Sequence, residues 1–168
     1  TDDQAKIDDQ AKKDETIASD AFLARVPDNE TFKSTSETYA KKAATYEKKL
    51  VDDPNNLAAL LYAGQAYMNW GYGLSYSGST DEEKAFANDI VNKAVEYFDR
   101  YLAIEPAKSV KVDRALCKSY MGDTAGATAE LEKLSQEDPT FPLVWANLGM
   151  LYQSSGETEK ATEAYTKA

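Results

Sequence analysis

Apolar positions in this chain recur three, four and seven residues apart, in stretches cut by glycine or by an acid–proline pair. Near the end, Trp145, Leu148, Gly149 and Tyr152 share one helical face, Gly156 interrupts it, and Ala161 and Tyr165 begin another. Leu60, Ala63, Gly64 and Tyr67 repeat that spacing, with Gly71 as the expected break. Upstream, the segment 36–54 places Ala40, Ala43, Tyr46 and Leu50 on one face. The apolar cluster 20–26 must supply its partner helix, with Pro27, Asp28 and Asn29 as the turn. Asp53-Pro54, Glu105-Pro106 and Asp138-Pro139 read as stops. Proline cannot continue a helix and pushes the residue before it toward extended geometry. The pattern predicts an all-α chain of antiparallel helical hairpins, with small residues at Gly64, Gly149, Ala94 and Ala161 where neighbouring helices approach closely.

The hairpin recurs. Gly122 and Gly156, Ala127 and Ala161, and Leu131 and Tyr165 are each 34 residues apart. Together with Trp145, Leu148-Gly149, Tyr152, Gly156, Ala161 and Tyr165, and with Leu60, Gly64, Tyr67, Ala94, Phe98, Tyr101 and Pro106, this resembles the tetratricopeptide repeat, whose period is about 34 residues. The resemblance covers roughly residues 36 to 168. It implies a right-handed solenoid of three to four units, whose first helices line a concave groove that binds proteins or peptides. Units are expected at about 20–56, 57–107, 108–141 and a truncated 142–168, behind a charged stalk or frayed helix over 1–19.

The second unit is too long. Pro54 to Pro106 spans 52 residues, and the excess lies over 72–84, where Gly-Tyr-Gly and Ser-Gly-Ser predict a loop. Thr80 followed by Asp81, Glu82 and Glu83 marks the start of a long helix over about 81–104. Tyr72, Tyr76 and Leu74 are expected to cover its extra apolar turns at Phe86 and Ile90. No Lys-Ser or Lys-Thr follows the glycines, so no phosphate loop is supported.

Register in the third unit is chosen by burial energetics. The regular period would bury Arg114 and Lys118, at several kcal/mol per unpaired charge. Shortening the turn by two residues instead buries Leu116, Cys117 and Tyr120. Cys117 then becomes an inert, close-packed thiol. Lys111, Arg114 and Lys118 form a basic stripe on another face, and the resemblance points it into the groove. By the same projection Leu61, Gln65, Met68 and Asn69 precede it there, and Ala146, Met150, Gln153 and Ser154 follow. Methionines suit a peptide's apolar side chains. Leu61 and Gln65 stand where chaperone-tail binders of this family carry a lysine and an asparagine, which argues against that specific activity.

Charge sharpens the picture. There are 29 acidic and 19 basic residues, net −10, with no histidine and one cysteine. The acidic balance argues against nucleic acid. Without histidine there is no Ser–His–Asp or Cys–His nucleophile, and a zinc site would have one soft ligand. The acid clusters Asp2-Asp3 and Asp8-Asp9 lack a calcium-loop pattern, so no metal and no cofactor are expected. Nothing sets two carboxylates in different environments, so no enzyme is read. No apolar run approaches the roughly 20 residues that span a bilayer. The expectation is a protein-binding scaffold whose partner is an acidic segment. The alternative is self-assembly through an apolar edge at Leu151, Ala164 and Tyr165 and through the tyrosine-rich insertion. A single buried cysteine suits the cytosol, whereas a charged stalk suits a bacterial protein tethered outside its membrane.

Overall fold

The computed structural model describes residues 2–6 and 17–168; the stalk expected over 1–19 lies largely outside them. The helices that build the molecule are α1 (Ala18–Leu23), α2 (Glu30–Asp52), α3 (Leu57–Ser75), α4 (Asp81–Leu102), α5 (Lys108–Tyr120), α6 (Thr124–Glu137), α7 (Pro142–Ser154) and α8 (Thr158–Lys167). Sequential helices pack as antiparallel hairpins into an all-α solenoid, and α5 also touches both α3 and α7 directly. Among the described residues there is no strand.

Local signals fix the boundaries. Asn29 caps α2 by accepting from Thr31 and Phe32, so that helix begins at Glu30 rather than near residue 36. Asn56 caps α3 and Asp123 caps α6, while Pro142 opens α7 at a position that needs no N–H donor. Gly122 and Gly156 carry φ of 92° and 79°, the left-handed backbone that reverses the chain after α5 and α7.

Glu83 completes a capping box with Thr80 at the start of α4. The backbone N–H of Ser79, the amide of Asn29 and the N–H of Thr80 all donate to its carboxylate and hold its pKa down to about 2. A carboxylate depressed in the folded state stabilises the fold above its unfolded value and loses that contribution as pH falls toward the folded one. The stability advantage of wild type over Glu83→Gln is therefore expected to shrink between pH values of about 4.5 and about 2. Urea midpoints across that range check it; a constant difference refutes it.

Four sequence expectations are corrected. Gly71 does not end α3, which runs on to Ser75. A Cβ there would collide with the Val91 side chain, so the residue is small for close approach to α4. The loop over 72–84 contracts accordingly to the short link between Ser75 and Asp81. Second, Tyr72 and Tyr76 do not cover Phe86 and Ile90. Phe86 packs against Phe22, Phe32 and Trp70, and Leu74 joins the same core. Third, the inward face of α2 also takes a charged residue, Glu47, which is buried beside Tyr46; Tyr46 is only half-buried against the core and lies against Tyr62. Fourth, Leu151 and Ala164 are buried, and of the expected apolar edge only Tyr165 is open.

Helix α1 is short and packs against α2. Phe22 meets Tyr67, Trp70 and Phe86 edge-on, and Arg25 bonds to Asp89 at 3.1 Å while lying over the Phe22 ring. Beneath it, Glu47 is 1% exposed. Its carboxylate accepts from the backbone N–H and hydroxyl of Ser19 at 3.2 and 2.6 Å, from Tyr67 Oη at 2.7 Å and from Tyr97 Oη at 2.8 Å. Burial, then the neighbouring carboxylate, pushes both phenols well above their ordinary pKa. The device recurs downstream, where Tyr152 Oη donates to Glu132 Oε1 at 2.6 Å. Glu47, Asp99 and Glu132 each stand seven residues before the proline that follows their helix. Each second helix thus offers one acid to the first helix of the next unit.

The core falls into two clusters. One joins α2, α3 and α4 with Val110 and Cys117 of α5; the other joins α6, α7 and α8 with Val112, Ala115 and Leu116 of the same helix.

Candidate functional site

Helix α5 is held on two flanks by these cores, which leaves it two narrow accessible strips. A helix advances about 100° per residue, so Asp113 and Tyr120 lie on one strip and Lys111, Arg114 and Lys118 on the other. The basic strip turns toward the second helices. Arg114 Nε lies 2.5 Å from Asp99 Oδ1 of α4, and its Nη1 lies 3.8 Å from Glu130 Oε1 of α6. Lys118 Nζ lies 2.5 Å from the same Glu130 oxygen. Lys111 borders a hollow of about 370 Å³ with Lys133 and Glu137. Asp99 explains the direction, because it is the acid that the second helix of this unit offers forward. Where Tyr67 and Tyr152 answer in the other units, Arg114 answers here.

The face shared by α3, α5 and α7 is different in kind. On α3 the accessible stripe is Tyr62, Gln65, Asn69, Tyr72 and Tyr76, spaced three and four apart through Gly71 and Gly73. Gln65 Nε2 donates to Asp113 Oδ2 at 3.1 Å, joining α3 to α5. Burial raises the Asp113 pKa, and the Gln65 bond opposes the shift. The Tyr72 ring meets Tyr120 at 5.2 Å and Tyr76 at 5.4 Å. Burial, then the neighbouring Cys117, Tyr72, Tyr76 and Asp113, pushes the Tyr120 phenol up to about 12. Cys117 itself is fully buried and its thiol is pushed up to about 12, mainly by burial, so it is packing rather than a nucleophile. A hollow of about 630 Å³ opens between the ends of these helices, bounded by the three tyrosines, Asn147, Met150 and Ser154.

The projected residues separate accordingly. Gln65, Asn69, Ala146, Met150, Gln153 and Ser154 are accessible on α3 and α7, and Met150 and Ser154 border the larger hollow. Gln153 accepts from Tyr165 Oη at 2.9 Å. Leu61 is half-buried against the core, and Met68, at 9% exposure, belongs to the core itself. Lys111, Arg114 and Lys118 do not join this set. The sequence places Tyr72 and Tyr76 in a loop and Tyr120 on the buried seam; α3 instead runs on through the glycines and Tyr120 is only half-buried, so all three reach this face. The signal was present as the unbroken three–four spacing from Tyr62 to Tyr76.

Among the described residues no three metal-ligating side chains gather, and no helix is long and apolar enough to cross a membrane. No known family profile and no curated protein matches the sequence. Among solved structures, two crystal structures of MamA are similar to this chain. One is 20% identical with a TM-score of 0.39, covering 80% of this chain and 89% of that one. The other is 22% identical with a TM-score of 0.39, covering 80% and 83%.

Proposed function

We propose that the protein is a tetratricopeptide-like interaction scaffold that receives a peptide or protein segment on the face shared by α3, α5 and α7. One observation carries this reading: Tyr62, Tyr72 and Tyr76 on α3 and Leu143 and Met150 on α7 leave large apolar side chains open to water there. The site consists of Gln65, Asn69, Ala146, Met150, Gln153 and Ser154 from the helical projection, with Tyr72, Tyr76 and Tyr120 added. It assigns no catalytic residue and no cofactor.

An acidic partner at Lys111, Arg114 and Lys118 is a weaker form of the same reading, because it would displace Asp99 and Glu130 from pairs already made. Chemical crosslinking of the intact chain in its native extract, with photoreactive groups placed at Met150 or at Lys111, separates the two. Adducts from the Met150 position are expected to be abundant and discrete. Adducts from Lys111 alone would overturn the placement, and none from either would overturn the scaffold.

Self-assembly is the second reading, favoured by the same exposed rings. Light scattering over a dilution series tests it: a strict monomer at high concentration removes it.

A further inference from the structure

The hollows along the molecule differ sharply in charge. The one between α1 and α4 is lined by Arg25, Asp89, Lys93 and Glu96, and the one between α4 and α6 by Lys111, Arg114, Glu130 and their neighbours. The larger hollow at the ends of α3, α5 and α7 is lined by no charged residue at all. In a chain where 29% of residues are charged, that is a chemical specification. Two of its tyrosines are also surplus to the fold. The cover of Phe86 and Ile90 is supplied from elsewhere, which leaves Tyr72 at 48% and Tyr76 at 79% exposure.

We propose that this hollow binds a charge-poor polypeptide segment, with one apolar or aromatic side chain seated among Tyr76, Tyr120 and Met150. Tyrosines give large contact area at small conformational cost, and serine and asparagine beside them give adaptable hydrogen bonds, the chemistry of a protein-recognition surface. Four polar side chains of the lining are set to accept. Ser75, Ser119 and Ser154 donate their hydroxyls to Tyr72, Leu116 and Leu151 carbonyls, and Asn147 donates its amide to that of Leu143. Their remaining lone pairs match the N–H donors of a peptide backbone. An acid entering here would find no cation, and a base no anion, to repay its desolvation.

The proposal rests on the scaffold reading, and one experiment separates their failures. Random dodecapeptides displayed on phage are selected on the full chain, and a panel of neutral oligosaccharides is screened beside them. Enriched peptides are expected to be nearly uncharged with an aromatic or aliphatic anchor. Their affinity should change less than about twofold between about 0.05 and 0.5 M salt. It should fall at least about tenfold in Tyr72→Ala/Tyr76→Ala and several-fold in Met150→Ala, and not in Lys111→Glu. Unchanged helicity and urea midpoints keep the variants interpretable. Acidic peptides whose binding falls steeply with salt and is lost in Lys111→Glu overturn the hollow but leave the scaffold. Binding of a neutral oligosaccharide, lost in the tyrosine variant and with no peptide enriched, overturns the polypeptide occupant. No enrichment of any kind overturns the scaffold and this inference together.

Discussion

Replacing Glu47 by alanine is expected to lower the stability of the fold by about 3–5 kcal/mol, more than any single surface change. The substitution orphans four buried donors, Tyr67 Oη, Tyr97 Oη and the N–H and hydroxyl of Ser19, at about 1–3 kcal/mol each before relaxation. It also opens a void beneath α1. The conservative variants grade the effect. Glu47→Gln keeps an acceptor for the phenols but turns a donor against Ser19, and should cost about 1–3 kcal/mol. Tyr67→Phe and Tyr97→Phe each leave the carboxylate its other donors, and should cost about 1 kcal/mol. Urea unfolding of the four variants checks the order. Equal losses for alanine and glutamine would show that the two carboxylate acceptors, and not the volume of the side chain, are what the site requires, and would refute this grading.

Two glycines in the same place of their units should respond unequally to alanine. A Cβ on Gly64 would sit 2.6 Å from Phe98 Cε1, and one on Gly149 would sit 2.6 Å from Tyr165 Cδ1. Phe98 is fully buried between α3 and α5, with nowhere to go. Overpacking there should cost about 1–3 kcal/mol. Tyr165 is 45% exposed on the last helix and can swing outward. At Gly149 the clash is then largely offset by the gain of about 0.8–1 kcal/mol that alanine brings to a helix interior. Thermal or urea denaturation of Gly64→Ala and Gly149→Ala tests this, and an equal or reversed ranking would refute it.

Much of the fold was legible because its signals are local. Spacing, caps and acid–proline stops act within a few residues, and they gave the hairpins, their order and the register of α5, where Leu116 and Cys117 are buried, Tyr120 is half-buried against both cores, and Arg114 and Lys118 are not buried. What was missed depends on partners far along the chain. Glu47 is inward only because Ser19, Tyr67 and Tyr97 converge on it from 28, 20 and 50 residues away. Gly71 looks like a helix breaker until Val91 is known to press against it. The basic stripe was recognised as a stripe, but periodicity cannot say which of two accessible strips faces the groove. That was decided by Asp99 and Glu130, which bring opposite charge from α4 and α6.

Helix α5 is a party wall between two rooms. Val110 and Cys117 face one core, and Val112, Ala115 and Leu116 face the other. If α6, α7 and α8 come loose, the wall loses the cover of its second side but keeps its hold on the first. The earlier room, closed over Glu47 by α1, need not open with it. The molecule is thereby disposed to come apart in stages, room by room. The tyrosine hollow straddles the wall, drawing on α3 from one room and α7 from the other. Whatever occupies it fastens the later room to the earlier, so that a guest at this site also acts as a bolt.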